Sequence, residues 1–136
     1  MLTLDRRGGE RLTAMGDLHR LTAAGVRIAT APGYVGSLAL KCHAGAVVTD
    51  SGLVQDETSV LGVACLTLRA ATERTITLTH GTNRLLGTDP REIAEIAPAG
   101  REPVPCAIPR WDGRAAQRVA KALVAAYALA PARRAS

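Results

Sequence analysis

Short runs of β-branched and other apolar residues alternate along this chain with segments whose apolar residues fall at helical spacing. That alternation leaves few folds open, because strands separated by helices pair in parallel into a sheet that helices cover on both faces. Leu2–Leu4 reads as a strand, with a turn expected at Gly8-Gly9. Residues 12–24 read as a helix ending at Gly25, a residue suited to the left-handed conformation that closes helices. A strand over 26–30 stops at Pro32-Gly33, and a helix over Tyr34–Cys42 follows. Ala46–Thr49 is a short buried strand, Gly52–Leu61 a helix closed near Gly62, and 63–68 and 82–86 two further strands. A loop with one helical turn is expected over 72–79. Asp89-Pro90 sets a cap residue before proline at the first helical position, opening a helix to about Ile96. After a Pro- and Gly-rich connection over 98–109, a long helix spans 112–130, and 131–136 is a basic tail.

With 136 residues the chain is expected to form one domain, over 1–130. Aromatic residues make up 2% and Phe is absent, so the interior is expected to consist of Ala, Val, Leu and Ile. The same scarcity argues against nucleic acid as a partner, because bases would find almost nothing to stack on. The net charge of +5 comes almost wholly from arginine, since Lys41 and Lys121 are the only lysines. Scattered arginines suit either an anionic small ligand or a merely solvated basic surface.

Cys42, Cys65 and Cys106 are odd in number and lack metal-ligand spacing, so reduced thiols in a cytoplasmic protein are expected, with no metal and no cofactor. Cys42 and Cys65 lie among apolar residues and read as core filler. No apolar stretch is long enough to span a bilayer. His19, His43 and His80 read as surface or structural residues.

In parallel α/β sheets ligands bind beyond the carboxyl ends of the strands. That rule selects the loops 30–35, 49–54 and 68–75. The second is the most informative: the strand ending Val47-Val48-Thr49 runs through Asp50, Ser51 and Gly52 into a helix carrying Gln55, Asp56 and Glu57. Free amides and the positive end of the helix dipole would hold a phosphate there. The Ser51 hydroxyl adds a hydrogen bond, and Gly52 lets a ligand approach the backbone. Glu57, about one and a half turns on, could face ribose hydroxyls. The plainer alternative is a helix capped by Asp50 or Ser51 with solvated acids in its first turns. For Glu73-Arg74, likewise, the local pattern suits a surface ion pair.

Four ordered blocks between about Gly33 and Val119 add to this reading. Thr49-Asp50-Ser51-Gly52, with Gln55 and Glu57, resembles the Thr-Asp-Ser-Gly-Gly-x-Gln-Glu-Glu signature of the non-hydrolysing UDP-N-acetylglucosamine 2-epimerases. Leu66 to Arg74 is similar to that family's Leu-x-x-Arg-Asp-x-Thr-Glu-Arg, and Gly81 to Asp89 to its Gly-Thr-x-x-Leu-Val-Gly-Thr-Asp. Residues 111–119 resemble the Gly-Asp-Gly-x-Ala-x-x-Arg-Ile that opens its last helix.

The resemblance implies an α/β, Rossmann-like, mostly parallel sheet, like a truncated C-terminal half of a glycosyltransferase-B-like fold. It implies a UDP-sugar ligand, with Ser51, Gly52 and Leu53 at the diphosphate, Glu57 at the ribose and Arg74 at the nucleotide. Leu53 stands where the family has its second glycine and would offer main-chain contact alone. Asp56 shortens a Glu, Ala70 replaces an Asp, and Thr75-Ile76 replaces Pro-Glu. The groups that move the C2 proton during interconversion of UDP-GlcNAc and UDP-ManNAc belong to an N-terminal half, so no catalytic residue is assigned here. On the last helix Ala116, Val119, Leu123, Ala126 and Tyr127 form an apolar stripe that must fold onto its own sheet, pair with another chain (a partner supplying that half, or a second copy in a homo-oligomer) or remain exposed. The alternative is a degenerate, non-catalytic remnant that serves as a fold or interaction module.

Overall fold

The structure, a computed structural model, describes residues 1–89, 91–94 and 105–129. The chain folds as two compact units, Met1–Ala44 and Gly45–Ser136.

In the first unit β1 (Leu2–Leu4) pairs in parallel with β2 (Ile28–Thr30), Leu2 opposite Ile28 and Leu4 opposite Thr30. Parallel neighbours need a crossover, and α1 (Arg6–Ala14) with α2 (Asp17–Ala23) supplies it. The expected turn at Gly8-Gly9 is corrected here: both glycines lie inside α1. Asp5 is the reason, since its Oδ1 accepts the Gly8 amide at 2.7 Å and caps the helix one turn earlier. The single helix read over 12–24 is likewise two, broken where Gly16 turns at φ 73°. α3 (Tyr34–Cys42) closes the unit. Cys42 is exposed rather than core filler, because it ends α3 where the chain leaves the helix. His19, His43 and His80 are exposed, as expected.

The second unit carries β3 (Ala46–Thr49), α4 (Gly52–Leu61), β4 (Ala64–Thr67), α5 (Thr75–Thr79) and β5 (Asn83–Leu85). The strands form a parallel sheet in the order β3-β4-β5, with Ala46 opposite Ala64 and Cys65 opposite Asn83. The β-branched run Val47-Val48-Thr49 in β3 suits the pleated surface. Gly62, at φ 69°, ends α4 in the left-handed cap that its lack of Cβ permits. Asp89 caps α6 (Arg91–Ala94) by accepting the Arg91 amide at 2.9 Å. α7 (Ala115–Leu129) starts beside Asp112, whose carboxyl is drawn down to about 2 by the Arg118 guanidinium and by the Arg114 amide. The remainder of the helix expected to reach Ile96, the connection 98–104 and the tail 131–136 lie outside the described residues.

The interior departs from the aliphatic one expected. Val63, Cys65, Leu86 and Ile108 are buried, but the largest fully enclosed side chains among the described residues are Gln55, Thr58, Thr67 and Thr77. The Thr58 hydroxyl donates to the Val54 and Gln55 carbonyls of its own helix, while Gln55, Thr67 and Thr77 form one hydrogen-bonded cluster around Asn83. Its Nδ2 donates to Gln55 Oε1 (3.0 Å) and to Thr77 Oγ1 (3.1 Å), while its Oδ1 accepts from Thr67 Oγ1 at 2.6 Å. Polar groups are tolerated in a core only when paired in this way. Cys65 lies beside them, and burial pushes its thiol up.

Gly81 is packed against this cluster. A Cβ there would meet Ser59 Oγ, and backbone atoms of Thr77 at 2.7 and 2.9 Å. Gly81→Ala is therefore expected to destabilise the second unit by about 1–3 kcal/mol, the usual cost of overpacking. Urea titration followed through Trp111, the chain's single tryptophan, would measure it.

Candidate functional site

β3 delivers the chain to the start of α4, where the site is built. Thr49 Oγ1 accepts the Ser51 amide at 3.1 Å, which closes the corner between strand and helix. Ser51 takes the N-cap position with extended backbone (φ −85°, ψ 127°), yet its hydroxyl makes no capping bond. The first amides of a helix have no partner within it. Among the described residues none accepts from Gly52, Leu53 or Val54, so the capping by an Asp50 or Ser51 side chain that the plainer alternative called for is not made. The half-buried corner presents a hydroxyl, unpaired amides and the positive end of a ten-residue helix.

The loop after β4 folds over this corner. The Leu68 amide donates to Thr49 O at 2.8 Å, which aligns the exits of the two strands. Thr72 then fixes the loop: its hydroxyl donates to Gln55 Oε1 at 2.7 Å and accepts the Arg74 amide at 3.1 Å. At the far side Thr77 holds the Arg74 carbonyl, through its amide at 2.9 Å and its hydroxyl at 2.7 Å. The backbone at Arg74 is thus tied to the buried polar cluster from both directions.

That placement brings the Arg74 guanidinium to Gly52. A Cβ at Gly52 would lie 3.5 Å from Arg74 Nε and 2.7 Å from Glu73 Oε1. Without a Cβ, Gly52 leaves room for these two side-chain ends beside the helix start. The surroundings are acidic on two sides. Arg74 Nη1 reaches Asp56 Oδ2 at 3.1 Å, and Nε lies 3.8 Å from Glu73 Oε1. Glu73 also pairs with Arg69 at 3.0 Å. Its own backbone amide, then Arg69 and Arg74, hold the Glu73 carboxyl below the usual range. Burial instead pushes Asp56 above its ordinary 3.8, against the opposing pull of Arg74. Glu73-Arg74 is accordingly more than a surface ion pair, since Arg74 joins the loop to α4.

Of the residues singled out from the sequence, Ser51, Gly52, Leu53 and Arg74 come together at the helix start. Leu53 is 60% exposed, so its main chain is the part that belongs to the corner. Glu57 is half-buried on the same helix, five residues beyond Gly52 and hence roughly 7.5 Å along the axis. The sequence reading passed over Gln55, Asp56 and Thr72 as working parts. The one available signal was the polar spacing of Gln55, Thr58 and Ser59 along α4, which looks like a solvated face. Among the described residues no cluster of His, Cys, Asp and Glu is arranged to hold a metal ion, and no helix is long and apolar enough to cross a membrane.

Comparison with known proteins gives a consistent result. A family model described as UDP-N-acetylglucosamine 2-epimerase matches residues 2–124. The UDP-N-acetylglucosamine 2-epimerase of Methanococcus maripaludis is 43% identical over 68 residues, which is 50% of this chain and 19% of that protein. That of Yersinia pestis is 34% identical over 97 residues, 66% of this chain and 26% of the relative. Among solved structures, UDP-GlcNAc 2-epimerase from Methanocaldococcus jannaschii is similar with a TM-score of 0.71 and 28% identity, covering 90% of this chain and 35% of that one. The same enzyme in complex with UDP-GlcNAc and UDP gives a TM-score of 0.69 at 29% identity, covering 88% and 34%. The matched region therefore spans about a third or less of each of these relatives.

Proposed function

Because this chain belongs to the UDP-N-acetylglucosamine 2-epimerase family, we propose that its second unit binds the uridine diphosphate portion of a UDP-N-acetylhexosamine at the start of α4. The diphosphate oxygens accept from the Gly52 and Leu53 amides and the Ser51 hydroxyl. The Arg74 guanidinium adds a permanent charge and a fork of donors, which suit phosphate. Glu57 accepts from the ribose hydroxyls. One observation carries the reading: a guanidinium lies beside Gly52 at a helix start whose first amides have no partner among the described residues. The similarity to an epimerase structure holding UDP-GlcNAc and UDP supports it.

Interconversion of UDP-GlcNAc and UDP-ManNAc needs groups that remove and return the C2 proton. We assign those to the part of the family's fold that this chain does not match, an N-terminal half acting with the C-terminal half that this chain resembles. Val119, Leu123 and Tyr127 on α7 are 57%, 54% and 78% exposed, which suits contact with such a half or with a second copy.

Calorimetric titration with UDP tests the binding role. Ser51→Ala is expected to weaken UDP about 3–10-fold, the worth of one neutral hydrogen bond. Glu57→Ala is expected to cost about 10-fold or more, because its bonds are charge-assisted. Absence of heat at millimolar UDP would overturn the proposal.

A further inference from the structure

We propose that Asp56 is a positioning residue, holding the Arg74 guanidinium over Gly52 so that a diphosphate meets donors already aimed. This rests on the binding role given to Arg74 above, and goes beyond it by naming the group that orients the fork.

The backbone at Arg74 is fixed by Thr72 and Thr77, but its side chain then leaves the cluster and is 45% exposed. A long arginine side chain in that setting keeps many rotamers unless something directs its end. Among the described residues two carboxylates reach it. Glu73 is 62% exposed, lies 3.8 Å away and is shared with Arg69. Asp56 is 21% exposed, stands on the first turns of α4 and is 3.1 Å away. The rigid, half-buried partner sets the direction of the guanidinium.

Asp56 is also poorly explained as a stabilising residue. Its Oδ1 is buried with no hydrogen-bond partner among the described residues. Burial raises its pKa even though Arg74 pulls it down; Glu73 and Glu57, the other charged groups acting on it, raise it further. A carboxyl whose folded pKa is raised costs the fold stability once it ionises, from its unfolded value upward. The charge at Asp56 is therefore kept for what it does to Arg74.

The test is a double-mutant cycle on the full chain, read by UDP calorimetry and thermal unfolding. Asp56→Asn is expected to weaken UDP about 3–10-fold while leaving the unfolding midpoint unchanged or higher. In an Arg74→Met background it should cause no further loss, and Asp56→Glu should restore much of the affinity. An equal loss in both backgrounds, unchanged affinity in Asp56→Asn, or a lowered midpoint would each overturn the proposal. Should the wild-type chain take up no UDP, the binding role falls, and the positioning role is read separately from the Arg74 Nε–H order parameter. Ordered in the wild type and mobile in Asp56→Asn is the expected outcome; equal mobility in both overturns it.

Discussion

Gln55→Ala is expected to lower the stability of the second unit by roughly 3–5 kcal/mol, enough to move its urea transition far toward native conditions. The side chain is fully buried, and its Oε1 accepts two hydrogen bonds, from Thr72 Oγ1 and Asn83 Nδ2. Truncation leaves a cavity and two donors that have lost an acceptor. Each stranded donor costs about 1–3 kcal/mol less whatever its remaining contacts recover, since Asn83 still donates to Thr77. Against this stands a small gain, because Gln55 Nε2 is itself buried without a partner among the described residues. Gln55→Glu isolates that term. It keeps the shape and the acceptor but puts a charge at a fully buried position, and should be nearly as damaging at neutral pH. Urea titrations followed by circular dichroism and Trp111 fluorescence check both. A loss below about 1 kcal/mol for Gln55→Ala would mean that the polar cluster is not what holds the loop to α4.

Arg74→Ala should leave the fold nearly intact and weaken UDP about 10–50-fold at physiological salt. Stability is spared because a partly exposed ion pair contributes only about 0–1 kcal/mol. Affinity suffers because hydrogen bonds to charged groups are worth about 1.5–3 kcal/mol, reduced here by solvent at a 45% exposed side chain. The loss should shrink as salt rises, since screening reaches an exposed charge. Arg74→Lys should recover only part, keeping the charge without the planar fork. Equal affinities of the alanine variant and the wild type in calorimetry would remove Arg74 from the site.

Which parts of this arrangement could be read beforehand follows from how local their causes are. The limits of α3, β3 and α4 were legible because each rests on neighbours in sequence: Pro32-Gly33 before one helix, a β-branched run, Gly62 after the other. The turn expected at Gly8-Gly9 was wrong because one cap, Asp5, outweighs the low helix propensity of two glycines. Cys65 was read as buried and is, whereas Cys42, read the same way from the apolar run before it, is exposed between Lys41 and His43. Apolar neighbours in sequence do not say which side of a helix end faces inward.

The sequence by itself determined the order of elements, the parallel pairing that such an order entails, and the motif that brings a serine and a glycine to a helix start. Periodicity, turn residues and capping act within a few positions, so they survive without knowledge of the fold. Only the tertiary structure decided that Gln55, Thr58, Thr67 and Thr77 are interior rather than solvated. Asn83, the partner of Gln55, Thr67 and Thr77, lies 28 residues from Gln55, and a polar side chain becomes a core residue only when such a partner arrives. The same long-range packing brought Asp56 to Arg74, because an ion pair depends on where two backbones finish and not on either segment alone.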